Sequence, residues 1–210
     1  MTASRRAWIR VAMAAAVAAS LGVTGGCSLS KPAPVKEMFV LEPVSPPVAA
    51  KAQPGVLRIG TVTVGAPFRG RGFVYRESDL KFETDYYREF LVAPAANIGE
   101  ATARALAAAN VFATVVPPGV PADPDWVLDG FVESFFGDAR EAGKPAAVLT
   151  VTWFLRRGDG DAPFWSRRFE RRVAFTSGSA ATYVGAQNSA LSEILAELAR
   201  DLSALPLKKP

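Results

Sequence analysis

Hydrophobic and polar positions divide the chain into segments of two periods. Val56 to Val64 is rich in β-branched residues, with Leu57 and Ile59 apolar on one parity and Val62 and Val64 on the other. The parity changes across Gly60, as one extra residue at a glycine bulge would make it do, so the segment predicts a bulged strand. Phe73-Val74-Tyr75-Arg76 and Leu80-Lys81-Phe82-Glu83 predict two short strands of a hairpin that turns through Ser78-Asp79. From Asn97 the period becomes helical. Ile98, Thr102, Ala105, Leu106 and Ala109 recur on one side, and Glu100 stands three after Asn97 as in a capping box. The helix ends near Asn110, and Val111 to Val116 comes next as a short strand stopped by Pro117-Pro118-Gly119.

Three longer strands come after it, at Trp126 to Phe136, Ala147 to Arg157 and Phe164 to Thr176. In the second, Leu149, Val151, Trp153 and Leu155 lie on one face and Thr150, Thr152 and Arg156 on the other. Gly158-Asp159-Gly160-Asp161 supplies turn residues for a meander. After Ser177-Gly178-Ser179 a last helix carries Gln187, Leu191, Ile194, Leu195, Leu198 and Leu202 along one stripe. Strands with one dry face and helices with one apolar stripe bury both by stacking. The expected fold is therefore α+β, a two-layer sandwich of a mainly antiparallel sheet with two helices on one face.

The N-terminal segment obeys different rules. Arg5, Arg6 and Arg10 occur without an acidic residue, then Val11 to Val23 is almost wholly Ala, Val, Met and Leu. At ~1.5 Å per residue this run falls well short of a ~30 Å hydrocarbon core, which makes it a signal-peptide core and not a span. Small residues Thr24, Gly25 and Gly26 lead into Cys27, the one cysteine of the chain. A lone cysteine before a Pro-rich stretch has no core to be buried in. The chain divides into a signal peptide (1–26), a Pro-rich tether (27–54), a single periplasmic domain (55–205) and a tail (206–210). Within the tether, Met38 to Leu41 predicts a short strand added to a sheet edge. Ser4 to Arg10 fits both a plain basic leader and a twin-arginine export motif.

Removing Arg5, Arg6 and Arg10 leaves 21 basic against 20 acidic residues, so the basic balance is largely a property of the leader and gives no support for nucleic acid as a partner. The chain has no histidine, which removes the usual general base and the commonest zinc ligand; with Cys27 at the cleavage point no thiol nucleophile remains. Asp123, Asp125, Asp129 and Glu133 come close together, but strand acids at such spacing read as a solvated face, with Asp129 and Glu133 alternating with Phe131 and Phe135. Asp159 and Asp161 lack the further ligands of a calcium loop. Arg167, Arg168, Arg171 and Arg172 read as a solvated face of a meander strand whose stems cover apolar edges. No catalytic set and no metal site emerge. The aromatics Phe68, Phe73, Tyr75, Phe82, Tyr86, Tyr87 and Phe90 are denser than their irregular segment can bury; Phe68, Phe73, Tyr75, Tyr86, Tyr87 and Phe90 are the candidate contact surface for a partner or lipid.

Thr24-Gly25-Gly26-Cys27 resembles the lipobox of bacterial lipoproteins, which implies diacylglycerol and an N-acyl group on Cys27 and no other cofactor. Together with EMFVLEP, LRIGTVTVGAPF, FVYRESDLKFETDYYREFLVAP and ATYVGAQNSALSEILAELARDLSAL, it resembles the ABC-type transport auxiliary lipoprotein family over nearly all of the chain after the leader. The resemblance implies a non-enzymatic accessory of an MCE-type ABC transporter that moves phospholipids between the membranes of a Gram-negative envelope. Its partners would be an MCE-domain protein, the membrane that holds the anchor and a phospholipid, and it would act as a homo-oligomeric ring. Ser28 after the cysteine implies sorting to the outer membrane. An assembly lipoprotein of the lipopolysaccharide-export type shares the small two-layer shape and is the alternative.

Overall fold

The computed structural model describes residues 35–160, 162–176 and 178–208; the predicted signal peptide, Cys27, Ser28 and Asp161 lie outside them. Residues from Lys36 onward form one compact unit. Its strands are β1 (Glu37–Phe39), β2 (Gln53–Val64), β3 (Gly72–Arg76), β4 (Phe82–Phe90), β5 (Phe112–Val116), β6 (Trp126–Asp138), β7 (Ala146–Arg157) and β8 (Pro163–Ala174). Its helices are α1 (Pro94–Ala108) and α2 (Ala180–Ala204), with a single 3-10 turn at Ala66–Phe68.

All eight strands join one open sheet around β6. One edge of β6 pairs antiparallel with β7 along its length, and β7 pairs antiparallel with β8. The other edge is divided. β2 lies parallel along Trp126 to Val132, and β3 lies parallel along Gly137 and Asp138. β2 leads on to β5, and β3 leads through β4 to β1, so the sheet forks where the 3-10 turn carries the chain from β2 to β3. The α+β class and the two helices match the expectation. The sheet is mixed: its long ladders β6–β7–β8 are antiparallel, whereas β2 lies parallel to both β5 and β6.

The helices and the inner sheet face share one buried cluster. α1 packs on β2 and β5, and α2 on β7 and β8. Leu191, Ile194, Leu195, Leu198 and Leu202 of α2 are all fully buried, as the stripe required. Below them Trp153 lies flat on β6, where Gly130 leaves room for it; a Cβ there would stand 2.6 Å from the indole Cζ3. The bulge expected at Gly60 is present, since Ile59 pairs with Leu128 and Val62 with Gly130. Thr61 N–H, displaced from the ladder, donates to Asp129 Oδ1 at 2.8 Å.

Several boundaries differ from the expectation for physical reasons. α1 begins at Pro94, whose fixed φ suits the first helical position, so Asn97 lies inside the helix, buried, and forms no capping box with Glu100. A second register shift, between Val132 and Ser134 of β6, moves Phe135 to the helix side, so it does not share a face with Phe131. The run read as a tether is a packed strap from Lys36 onward: Leu41 and Pro46 are buried. Glu42 N–H donates to Asn188 Oδ1 and Val44 N–H to Ser192 Oγ, both at 2.8 Å, and Ala49 N–H donates to the Ala109 carbonyl at 2.7 Å. Gln53 closes it, its amide reaching the carbonyls of Leu202, Ser203 and Leu205 at 2.7–3.0 Å and satisfying the end of α2. Within the strap β1 is the edge strand expected, parallel to β4.

On the outer sheet face a buried carboxylate joins three segments. Asp138, 1% exposed, accepts a two-pronged bond from Arg140 (3.0 and 2.8 Å) and one from Arg172 of β8 (2.6 Å); Arg140 also reaches Asp79 in the β3–β4 turn. The Arg140 guanidinium, opposed by burial and aided by Arg172, holds Asp138 well below the usual carboxylate range.

Gly130→Ala forces the Trp153 ring off β6 and is expected to cost about 1–3 kcal/mol in urea unfolding. Because Asp138 has a lower pKa folded than unfolded, its stabilising contribution is complete at neutral pH and is lost as pH falls through the range below about 4. Asp138→Asn should therefore cost on the order of 2–4 kcal/mol at pH 7, with the gap to the parent protein narrowing in acid.

Candidate contact surface

The aromatic segment separates into a buried set and an exposed pair. Phe73 and Phe90 are buried under α2 with ring centroids 4.7 Å apart, and Phe73 lies 5.0 Å from Tyr183 of that helix. Phe68, on the 3-10 turn, stacks on Phe136 at 5.7 Å and fills the fork of the sheet. These three are core residues and cannot serve as contact residues, a correction to the sequence expectation. The segment holds more regular structure than its pattern suggests, because β4 continues past Glu83 to Phe90. Tyr75 is half-buried, its ring at the place a Cβ on Gly137 would occupy. Burial, with the Asp85 carboxylate nearby, pushes its phenol up to about 12, so it stays protonated.

Tyr86 and Tyr87 are different. Two steps along β3, Gly72 to Val74, are matched by five along β4, Thr84 to Glu89, so β4 carries three extra residues. Asp85 makes this bulge, its Oδ1 accepting from the N–H groups of Tyr87 (2.8 Å) and Arg88 (3.0 Å). The bulge places Tyr86 at 71% and Tyr87 at 44% exposure, rings edge to face at 5.1 Å.

Met38 of β1, and Val40, Leu91 and Val92 just past the ends of β1 and β4, are exposed as well. Lys36 Nζ stands 4.9 Å from the Tyr86 ring centroid and 3.5 Å from Glu89, which Arg71 also holds at 3.1 Å. Arg88 reaches Glu37 across the parallel pair at 3.3 Å. The corner is thus aromatic and aliphatic with a rim of ion pairs, the composition of a protein interface. Sequence reasoning missed Lys36, Leu91 and Val92; the apolar pair just ahead of Pro94, outside any periodic run, was the available signal.

Of the four acids weighed for catalysis, Asp123 is exposed and Asp125, Asp129 and Glu133 are held in structural bonds. Asp125 accepts from Val56 N–H at 2.8 Å, and Asp129 bonds Thr61 and Arg156. Burial pushes Glu133 up, yet Thr152 and Arg168 together bring it below its ordinary value, so it stays ionised. The arginine run divides by parity. Arg167 and Arg171 face α2 and bond Glu197, Asp201 and Glu193, while Arg168 and Arg172 face outward to Glu133, Glu170 and Asp138. Among the described residues no cluster of three or more His, Cys, Asp or Glu could hold a metal ion, and no helix is long and apolar enough to cross a membrane.

None of the curated proteins matches the sequence. Protein XCC0632 of Xanthomonas campestris shares the fold, with a TM-score of 0.69 and 17% identity over 78% of this chain and 92% of its own. An uncharacterized protein of known structure is similar at a TM-score of 0.63 and 18% identity, over 80% of this chain and 99% of that one. Identities this low extend to the fold alone. The model of the ABC-type transport auxiliary lipoprotein component family matches residues 39–199, from β1 to within α2, and the chain belongs to that family.

Proposed function

We propose that this auxiliary lipoprotein is a non-catalytic accessory of an MCE-type ABC transporter that moves phospholipids across a Gram-negative envelope. Cys27 carries diacylglycerol and an N-acyl chain and holds the domain in the periplasm, at the outer membrane by virtue of Ser28; no other cofactor takes part. The observation that carries the reading is the family match over residues 39–199, joined to an exposed tyrosine pair on a bulge beside the point where the tether enters the domain.

Tyr86 and Tyr87 supply wide, nearly rigid contact area, and the ion pairs around them give a rim that fixes orientation. Asp85 holds the bulge in shape, so little ordering remains to be done on docking. The MCE-domain protein is the partner proposed for this corner. Absence of histidine and the structural engagement of Asp125, Asp129 and Glu133 fit an adaptor whose transport energy comes from the ATPase subunit.

Two experiments test this. Recovery of the MCE-domain protein with the auxiliary lipoprotein from solubilised membranes should fall at least tenfold, about 1.4 kcal/mol or more, for Tyr86→Ala combined with Tyr87→Ala, while thermal unfolding hardly changes because both rings are exposed. Unchanged recovery would remove the corner from the interface. Cys27→Ala should leave the fold intact, release the domain into the soluble periplasm and impair lipid transport in cells. Full transport by the released form would show that the anchor has no part in the mechanism.

A further inference from the structure

A second feature lies at the other end of β6. A groove of about 710 Å³ opens between the β7–β8 turn and the chain that leaves α2, within the ~300–1,000 Å³ typical of small-ligand sites. Trp126, 2% exposed, lies at its base beneath Phe164 and Arg157, its indole N–H donated to the Pro54 carbonyl at 3.1 Å. Phe164 stands edge-on to it at 5.7 Å and is 51% exposed, a large aromatic left in the open on an edge strand. Leu205 and Leu207 form the opposite wall. That wall is fixed, because Gln53 donates to the Leu205 carbonyl at 2.7 Å and Leu207 N–H closes a tight turn onto the same carbonyl at 2.8 Å.

Charge is placed at the lining rather than the floor. Arg157 lies over the Trp126 ring at 5.7 Å, and Lys208 comes directly after the leucine wall. Among the described lining residues Arg157 and Lys208 are the charged ones, and an apolar trough with these cations suits a ligand with a hydrocarbon part and an anionic end. A cleft between β2 and the start of α1 differs: its Arg156 and Asp129 already bond each other at 2.9 Å.

We propose that this groove binds one acyl chain of an anionic lipid, with the carboxylate or phosphate against Arg157 and Lys208. The inference goes beyond the accessory reading and does not require it, since the groove is distinct from the Tyr86–Tyr87 corner.

Cells producing the full-length protein are fed a fatty acid bearing a diazirine, irradiated, and the purified protein is mapped by mass spectrometry. Adducts should fall on peptides containing Phe164 and Leu207, and adduct mass tells a free fatty acid from a phospholipid; either supports the proposal. Phe164→Glu, at an exposed site, and independently Leu207→Asp should each lower the yield at least fivefold, with circular dichroism unchanged. Tyr86→Ala with Tyr87→Ala should leave the yield unaltered, and Phe164→Glu should leave recovery of the MCE-domain protein unaltered, so either reading can fail alone. Adducts confined to other peptides, cross-links only to the acyl group borne by Cys27, capture of a protein in place of lipid, or yields indifferent to both groove variants would overturn the proposal.

Discussion

The division of β6 between its neighbours is the constraint on which the rest of this fold depends. β6 must present a full edge to β7 and divide its other edge between β2 and β3, and it can do so only because the partners leave it at separate points. Two glycines make the arrangement compact. Gly130 admits the Trp153 ring and Gly137 the Tyr75 ring, each at a place where a Cβ would come within 2.6 Å of aromatic carbon. Large rings over missing side chains give the core its thickness without forcing α2 away from the sheet. The fork itself would be a void, and Phe68 fills it, stacked on Phe136.

Because the fork is narrow, the β3–β4–β1 wing is joined to β6 by few backbone bonds. Side chains supply the remainder. Phe73 and Phe90 secure the wing from the helix side, and Asp138 with Arg140 ties the β3–β4 turn from the outer side. Exposed ion pairs contribute little singly, but a carboxylate that is 1% exposed and bonded by two arginines is a different case, since removing an arginine leaves the Asp138 charge less compensated in a dry place. The acids that might have suggested catalysis serve similar ends, closing a bulge at Asp129 and crossing strands at Glu133.

The range of the forces decides which features are legible in the sequence. The strands of the β6–β7–β8 meander, the stripe of α2 and the bulge at Gly60 are local periodic features and can be read directly. The parallel placement of β2 cannot, because nothing along one strand says which distant strand lies beside it. The strap looked like linker because its prolines forbid a helix; its partners, Asn188 and Ser192, lie almost 150 residues on. Among the aromatics, period-two spacing alone could not separate Phe73, which is core, from Tyr86, which is surface. The deciding residue was Asp85, whose turn inserts three residues into β4 and turns the Tyr86 and Tyr87 rings outward.

The geometry also bears on how an anchored adaptor would use two surfaces. The chain enters the domain at Lys36, on the wing that carries Tyr86 and Tyr87, and this wing grips β6 at Gly137 and Asp138. The groove floor is Trp126, the first residue of the same strand. Twelve steps at ~3.3 Å set the two ends up to about 40 Å apart along a strand paired with β7 throughout, and on its other edge with β2 as far as Val132 and with β3 from Gly137. A protein partner seated on the wing would therefore leave the groove uncovered, and a lipid in the groove would leave the tyrosine pair free. Coupling along β6 would have to cross Gly130 and Gly137, where the Trp153 and Tyr75 rings pack in the place of a Cβ. Occupancy of the Tyr86–Tyr87 corner by a partner and of the Trp126 groove by a lipid would therefore not exclude each other.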